Sequence, residues 1–502
     1  MTKSEHRNTK VQKRQEKTQD HTRQGGGTKK KSRCPVSGKC GGCSMIDTPY
    51  EDQVRRKQDF AEECLEQFGK VEPMIRMKNP DHYRNRASAA FGCDRRGKTV
   101  CGVYREHSHE IVPVKECLLE SKAADRIVQT VYSLLPSFKI RPYDEDRGTG
   151  LLRHVQVRTA RTTGQIMVTL VCASPVFPSR SNFVKELRRL HPEITTIVMN
   201  INERDTSVVL GNREVVLFGK GYIEDVLCGK RFRISSRSFY QINSIQTEKL
   251  YNIAIDCAGL SGKERALDVY CGIGTIGIIA SDKCREVLCT EINADAVRDA
   301  GINAAANKAA NVRVYESDAG EFMEQLAEAG EQVDVLFMDP PRAGADEKFL
   351  ESTCRLMPKK IVYISCNPVT LSENLDYLTA HGYSVRKMVP VDMFPYTEHV
   401  ETVVLLSKGN ISSQNVRVEF SLEDMDMSRF RQGATYEQIQ EWVQEKYGFH
   451  VTHLNIAKTK WKCGIIEREN YNFPKSEDSQ SPKTPKEKEE AIIDAFLHFK
   501  MM

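Results

Sequence analysis

Seven short apolar runs lie between Ala266 and Ser407, with helical segments between most of the first five. No other feature constrains the fold of this chain as much. Runs rich in β-branched and aromatic residues read as buried strands. Strands alternating with helices must run parallel, which predicts a doubly wound α/β sheet. The last two runs, Val385 to Val391 and Thr402 to Leu406, have no helix between them. In open α/β sheets ligands bind beyond the carboxyl ends of the strands, so the residues that end each run are the first place to look for chemistry.

Those residues have chemistry to offer. The first run leads through Leu267-Asp268-Val269-Tyr270-Cys271 into Gly272-Ile273-Gly274-Thr275-Ile276-Gly277. Glycines there let the backbone turn tightly and approach a ligand. Glu291 closes the next run, where an acid typically accepts from ribose hydroxyls. The pattern matches G-x-G-x-x-G, which also serves nicotinamide and flavin enzymes and can be a plain packing turn. Asp318 follows the run Val312 to Glu316, and Val333 to Met338 leads into Asp339-Pro340-Pro341-Arg342, a rigid extended corner. Ile361 to Ile364 leads into Ser365-Cys366-Asn367-Pro368, which sets a thiol, a candidate nucleophile, at a strand end. His399-Val400-Glu401 enters the final run.

Taken in order, these pieces closely resemble the S-adenosylmethionine-dependent RNA (uracil-5-)-methyltransferases of the RumA/TrmA type, over roughly residues 34 to 408. The Ser-Cys-Asn-Pro and Asp-Pro-Pro-Arg elements carry most of the resemblance. It implies that Cys366 is the nucleophile and Glu401 the base. Uracil C5 is a poor nucleophile until a thiolate adds at C6, and the C5 proton must then be removed before the thiol can leave. The resemblance also implies S-adenosyl-L-methionine contacts. Gln241 lies in the motif Ser238-Phe239-Tyr240-Gln241-Ile242-Asn243, and Tyr270 and Thr275 lie at the glycine turn. Glu291 would meet the ribose, Asp318 the adenine and Asp339 the methionine end. The target base would be flipped out of folded RNA to reach Cys366.

The chain has 16 cysteines, and residues 1–33 contain no apolar core of a signal peptide. Scattered cysteines without a secretory signal fit a reducing cytosol, so a cytoplasmic location is expected. Cys34, Cys40 and Cys43 form a triplet among prolines and glycines that suits a metal-wrapping loop. A fourth ligand could come from Cys93, Cys101 or Cys117, and spacing alone suits zinc as well as iron–sulfur. Family members with this triplet hold a 4Fe-4S iron–sulfur cluster, completed by a Val-x-x-Cys segment. Val114-Lys115-Glu116-Cys117 matches that segment, so the resemblance implies Cys34, Cys40, Cys43 and Cys117 as ligands.

The 502 residues are too many for one core. Residues 1–33 carry 11 Lys/Arg against 3 Asp/Glu and read as a disordered basic tail. The cysteine segment and a helix from Tyr50 to Phe68 occupy 34–80. Residues 81–235 read as a β-rich substrate domain, with runs Arg86 to Gly92, Leu152 to Thr159, Gln165 to Cys172, Thr196 to Asn200 and Ser207 to Leu210. Arginines along it, Arg84, Arg86, Arg153, Arg158 and Arg161 among them, suit RNA backbone contacts. The catalytic domain would span 236–409. Residues 410–502 form a small α+β extension beyond the family pattern, with helix candidates Thr435 to Tyr447 and Lys488 to Phe499 and the runs Thr452 to Ile456 and Cys463 to Glu469 between them; 411–502 hold 13 Lys/Arg against 15 Asp/Glu, so it is no basic patch.

No apolar run approaches the ~18 residues that span a membrane. RNA is the implied partner, 23S rRNA ahead of the tRNA T-loop because the cysteine set resembles the ribosomal members. A monomer is expected. Many family members place a small β-barrel before the triplet, whereas 33 residues precede Cys34 here. An oxidoreductase would leave Cys366, Asp339-Pro340-Pro341 and Glu401 unused, and a noncatalytic RNA-binding protein would need neither Cys366 nor Glu401.

Overall fold

The computed structural model describes residues 32–409, 436–462 and 485–499, apart from residues 95, 107, 146 and 205–207. The expected basic tail falls almost wholly outside the described residues. The chain divides into two units, Met1–Ile411 and Ser412–Met502.

In the first unit, helix α1 (Tyr50–Leu65) is followed by a seven-stranded sheet. Its strands are β1 (Arg86–Cys93), β2 (Thr99–Tyr104), β3 (Ile111–Pro113), β4 (Leu152–Thr159), β5 (Ile166–Cys172), β6 (Ile194–Ile201) and β7 (Arg213–Phe218), in the order β3-β2-β1-β4-β5-β6-β7. All neighbours are antiparallel except β5 and β6. That parallel pair needs a crossover. Helix α3 (Arg180–Leu190) supplies it, and α2 (Lys122–Leu134) lies between β3 and β4. Ala87, Ala89, Val155 and Val157, at alternate strand positions, bury against Ile127 and Val131 of α2 and Phe183 and Leu187 of α3. The expected β-rich domain therefore carries two helices on one face.

The run Ser207 to Leu210 is not a strand where it is described. Asn202 Nδ2 donates to the carbonyls of Val208 at 2.7 Å and Val209 at 3.1 Å, so a side chain takes the acceptors a ladder would use. A hairpin of β8 (Tyr222–Leu227) and β9 (Lys230–Ser235) follows.

Helix α4 (Ser244–Ala258), capped by Asn243, leads into the second seven-stranded sheet. Its strands are β10 (Arg265–Val269), β11 (Glu286–Glu291), β12 (Val312–Glu316), β13 (Val335–Met338), β14 (Lys360–Ser365), β15 (Tyr383–Val391) and β16 (Glu401–Lys408). Helices α5 (Thr275–Ala280), α6 (Ala294–Ala306), α7 (Ala319–Glu328), α8 (Glu347–Leu356) and α9 (Pro368–Ala380) separate the strands up to β15. The order is β12-β11-β10-β13-β14-β16-β15, parallel through β14. Strand β16 enters between β14 and β15, antiparallel to both, because β15 and β16 connect without a crossover helix. The central strands are buried on both faces, as a helix-covered sheet requires.

The second unit corrects an expectation. Its described residues form helices α10 (Tyr436–Tyr447), α11 (His453–Lys462) and α12 (Lys486–His498) around Ile439, Val443, Val451, Ile456, Ile492 and Phe496. Residues 452–456 start a helix rather than a strand. Thr452 and Asn455 exchange hydrogen bonds, Thr452 N to Asn455 Oδ1 at 3.1 Å and Asn455 N to Thr452 Oγ1 at 3.2 Å, much as in a capping box. The run Cys463 to Glu469 lies outside the described residues. Among the described residues no helix is long and apolar enough to cross a membrane.

Candidate active site

Cys366 follows β14 directly, and Asn367 caps α9, accepting from Val369 N, with Pro368 at the first turn. Asn-Pro thus ends the strand and starts the helix in one step. Strand β16 runs antiparallel to β14, with Ser365 opposite Thr402. The ladder ends at that pair, and Cys366 and Glu401, the next residue beyond it on either strand, lie close enough for the Glu401 charge to act on the thiol. Glu401 is 2% exposed, and burial and then the nearby Asp339 carboxylate push its carboxyl well above the usual range. Burial above all, then the Glu401 and Asp339 charges, push the Cys366 thiol up to about 11 against the opposing pull of Arg342. In the free site, burial and the neighbouring carboxylates thus act against the charged form of both groups.

Asp339 ends β13, the strand beside β14. Gln241 Nε2 donates to its Oδ2 at 3.4 Å. Burial raises the Asp339 carboxyl and the bond from Gln241 opposes it. Gln241 is held in turn, because Asn85 Nδ2 donates to its carbonyl at 2.9 Å. Asn367 Nδ2 and Thr370 Oγ1 both donate to the Arg342 carbonyl, tying the Asp-Pro-Pro-Arg corner to the Cys366 turn. Cys366, Glu401, Asp339 and Gln241 are thus brought together.

The other expected ligands gather at the glycine turn. Tyr270, Gly272 and Gly274 all have positive φ, 60°, 56° and 78°. A side chain at 270 in that region is uncommon and costs energy, and such outliers cluster at ligand sites. Glu291 Oε2 accepts from Gly272 N at 3.0 Å and its Oε1 from Asn293 N at 2.9 Å, so the second strand's carboxylate braces the turn. Thr275 opens α5, with its Oγ1 3.4 Å from the Tyr251 hydroxyl. Asp318 caps α7, accepting from Gly320 N and Glu321 N. The donor set suits an adenosyl group, with an acid after β11, a second acid after β12 and a backbone turn a ligand can approach closely.

The sequence reading missed Asp268. It is 1% exposed, its Oδ2 accepts from Gly277 N at 2.7 Å, and its Oδ1 has no partner among the described residues. Burial raises its carboxyl to about 7. An acid inside the apolar run Ala266 to Val269 was the available signal. It holds the turn from below.

The four cysteines expected to bind a cluster lie in one neighbourhood. Cys34, Cys43 and Cys117 pack against Ile46, Met77, Tyr83, Leu119 and Tyr396. Burial pushes the Cys43 thiol up to about 12, with Cys117, Cys40 and Cys34 adding to the rise and Arg84 opposing it. The four thiols thus stand near enough for their charges to act on one another. Among the described residues, however, no three His, Cys, Asp or Glu side chains form a group spaced to hold a metal ion.

A glycine turn after the first strand of a parallel sheet, an acid after the second and an antiparallel strand delivering Glu401 beside a strand-end thiol together mark an α/β methyltransferase. Residues 49–409 match the tRNA (Uracil-5-)-methyltransferase family, and the chain belongs to it. An uncharacterized RNA methyltransferase of Listeria monocytogenes (serotype 4b, strain F2365) is 43% identical over 377 residues, 74% of this chain and 83% of the relative. One from Halalkalibacterium halodurans is 39% identical over 382 residues, 75% of this chain and 83% of the relative. The crystal structure of the Pyrococcus abyssi tRNA (uracil-54, C5)-methyltransferase, in complex with S-adenosyl-L-homocysteine, is similar with a TM-score of 0.61 and 26% identity, covering 74% of this chain and 86% of that one.

Proposed function

We propose that the chain transfers a methyl group from S-adenosyl-L-methionine to C5 of a uridine in 23S rRNA, with Cys366 as nucleophile and Glu401 as base. The pairing of Ser365 with Thr402, after and before which Cys366 and Glu401 stand at the carboxyl edge of the sheet, supports this reading. The methyl donor supplies an electrophilic carbon. Cys366 gives its proton up to solvent and its thiolate sulfur bonds to C6, leaving C5 electron-rich. C5 takes the methyl group as S-adenosylhomocysteine leaves, and Glu401 in its ionised form then removes the C5 proton. The C6–sulfur bond then breaks and Cys366 is regenerated. Buried and facing a second carboxylate, Glu401 is a stronger base than a solvated one. Gln241, Tyr270, Thr275, Glu291, Asp318 and Asp339 are the residues we assign to the methyl donor.

Cys34, Cys40, Cys43 and Cys117 are the ligands we assign to a 4Fe-4S cluster. Methyl transfer moves no net electrons, so the cluster's part is structural or in RNA contact. Iron and sulfide analysis of anaerobically purified protein tests it, and tightly bound zinc without iron overturns it. We take the protein to act as a cytoplasmic monomer. A tRNA substrate is the second reading, favoured by the likeness to the Pyrococcus abyssi enzyme, whose substrate is tRNA.

The test offers labelled S-adenosylmethionine with unmodified 23S rRNA and unmodified tRNA separately, then maps the product nucleoside. 5-Methyluridine in 23S rRNA is expected from wild type and none from Cys366→Ala, which still binds RNA. Label in tRNA alone overturns the ribosomal assignment, and equal label from both proteins overturns the mechanism.

A further inference from the structure

Strand β9 has one strand neighbour, β8, and its other edge is held by side chains of helix α6. Asn307, which closes α6, accepts from Arg231 N at 2.9 Å and donates to the Arg231 carbonyl at 2.6 Å. Asn303 does the same two residues along β9, accepting from Arg233 N at 2.7 Å and donating to the Arg233 carbonyl at 3.3 Å. Asp299 Oδ2 accepts from Ser235 Oγ at 2.7 Å and from Ser238 Oγ at 2.6 Å, and its Oδ1 lies 3.4 Å from Arg233 Nε. Asp295 pairs with Arg237 at 2.8 Å. Residues 295, 299, 303 and 307 thus recur every fourth position of α6 and meet residues 237, 235, 233 and 231, every second position of the extended chain. Four helical residues advance about 6.0 Å and two strand residues about 6.7 Å, so the two spacings match.

Asp299 and Asn303 are fully buried. Buried charged and polar groups seldom add net stability over apolar packing, and their best-attested use is to fix a register. A register is at stake here. A slip of β9 by two residues would move the chain beyond it by about 6.7 Å, further than a hydrogen bond reaches. That chain is Ser238-Phe239-Tyr240-Gln241, and Gln241 Nε2 meets Asp339 Oδ2 at 3.4 Å. The same row also reaches the glycine turn. Asn303 Nδ2 donates to the Ile273 carbonyl at 3.2 Å, between Gly272 and Gly274. One face of α6 therefore fixes both the segment that carries Gln241 and the backbone of the turn.

We propose that Asp299 and Asn303 are positioning residues for methyl transfer. Asp299, through Ser235 and Ser238, sets where Gln241 stands against Asp339. Asn303, through the Ile273 carbonyl, sets the glycine turn. Both act through the groups they hold rather than on the reacting atoms. A misplacement of about 1 Å can cost a reaction about a hundredfold in rate, so a register held this firmly has a kinetic consequence. Asn307 grips β9 as Asn303 does but holds neither the turn nor the Gln241 segment, so it separates positioning from attachment of the hairpin. The inference rests on the methyl-transfer reading above and adds two residues of α6 to it.

The test compares the full chain with Asp299→Ala, Asp299→Asn, Asn303→Ala and Asn307→Ala, at a temperature where thermal melts show all of them folded. Methylation kinetics use whichever transcript, 23S rRNA or tRNA, the wild type methylates, and calorimetry measures S-adenosylhomocysteine binding. Asp299→Ala is expected to lower kcat about 10- to 100-fold, with KM for RNA within about twofold of wild type. Asp299→Asn keeps an acceptor for the two serines and is expected to restore kcat to within about threefold. Asn303→Ala is expected to weaken S-adenosylhomocysteine binding about tenfold. Asn307→Ala is expected to lower the melting temperature while leaving kcat and S-adenosylhomocysteine affinity within about twofold. Equal kcat in Asp299→Ala and Asn307→Ala overturns the part given to Asp299, as does Asp299→Asn as slow as Asp299→Ala. If Asp299→Ala does not fold, Ser238→Ala takes its place, and unchanged kcat there overturns it equally. S-adenosylhomocysteine binding unchanged in Asn303→Ala overturns the part given to Asn303. Wild type that binds S-adenosylhomocysteine but methylates neither RNA defeats the functional reading; the hold on the turn then stands if Asn303→Ala alone weakens that binding and falls if Asn303→Ala and Asn307→Ala bind alike.

Discussion

Lys57 Nζ donates to Asp392 Oδ1 at 2.7 Å, with the two side chains 1% and 0% exposed. The Asp392 Oδ2 accepts from the Tyr50 hydroxyl at 2.7 Å, and Lys57 also reaches the Phe394 carbonyl at 3.0 Å. Helix α1 is thereby fastened to the segment that leads from β15 into Glu401. A buried pair with its remaining hydrogen bonds satisfied is tolerated, but removing one partner leaves a charge buried and uncompensated. Lys57→Met is therefore expected to cost about 3–5 kcal/mol, and Lys57→Met with Asp392→Leu to cost less than Lys57→Met alone. Urea unfolding of the four proteins in that cycle checks it. A double variant as unstable as the sum of the singles would sink the coupling.

The Cys366 thiol makes a pH prediction. Its pKa is pushed up to about 11, so the neutral form is favoured and thiolate appears only as pH rises towards that value. Against a free thiol near 8.5, the site holds on the order of a hundredfold less thiolate at pH 8. Iodoacetamide labelling of the Cys366 peptide, followed by mass spectrometry, should accelerate about tenfold per pH unit and level off near pH 11. Glu401→Gln removes a negative neighbour and should move the midpoint down while abolishing turnover. Arg342→Gln removes the opposing positive charge and should move it up. A plateau below pH 9 in wild type contradicts the assignment.

Residues that end strands were legible in the sequence because turn chemistry there is local. Ser365-Cys366-Asn367-Pro368 carries its own strand end, cap and helix start, and Glu401 is the first residue of β16. What lay outside such reading depends on distant partners. Lys57 and Asp392 are 335 positions apart, and nothing near either residue announces the other. Alternation predicts that Arg86 and Ala87 face opposite ways, but not that β4 rather than β2 brings Arg158 against Arg86. The helix α3 follows from topology, since a parallel β5–β6 pair demands a crossover that its short run Phe183, Val184, Leu187 only weakly signals. In the second unit a polar pair, Thr452 and Asn455, decided for helix where the run Thr452 to Ile456 was expected as a strand.

Gly277 offers a sharper test of the donor site than the positive-φ glycines. A Cβ there would stand 2.6 Å from Cys289 Sγ and 3.1 Å from Asp268 Oδ2. The first clash is with a fully buried side chain of the next strand, and the second with the carboxylate that holds the turn. Overpacking of this kind costs about 1–3 kcal/mol. Gly277→Ala should therefore lower the melting temperature and weaken S-adenosylhomocysteine binding at least about tenfold, the equivalent of about 1.4 kcal/mol. Gly301, in α6, has nothing within 4 Å of a built Cβ, so Gly301→Ala should be neutral or stabilise by about 0.5–1 kcal/mol. Calorimetric titration of both variants checks the contrast, and equal behaviour would refute it.

Tyr396 links the cysteine segment to the loop that leads into Glu401. It is 1% exposed with φ 67°, a left-handed conformation that only surrounding contacts can hold in a tyrosine. Met45 N donates to its carbonyl at 3.0 Å, its own N–H donates to Gln53 Oε1 at 2.8 Å, and Arg33 Nη1 donates to its hydroxyl at 2.9 Å. Arg33 and Met45 bracket the three cysteines of the triplet, and Tyr396 lies five positions before Glu401. Loosening that segment should therefore be felt at the base more than at the thiol. Cys43→Ser is expected to raise amide hydrogen exchange across residues 393–400 and to slow release of RNA from its Cys366 adduct, with adduct formation less affected. Gln53→Ala, which leaves every cysteine in place, should do the same more weakly. If exchange rises only around the triplet and the adduct turns over normally, the two segments are not coupled.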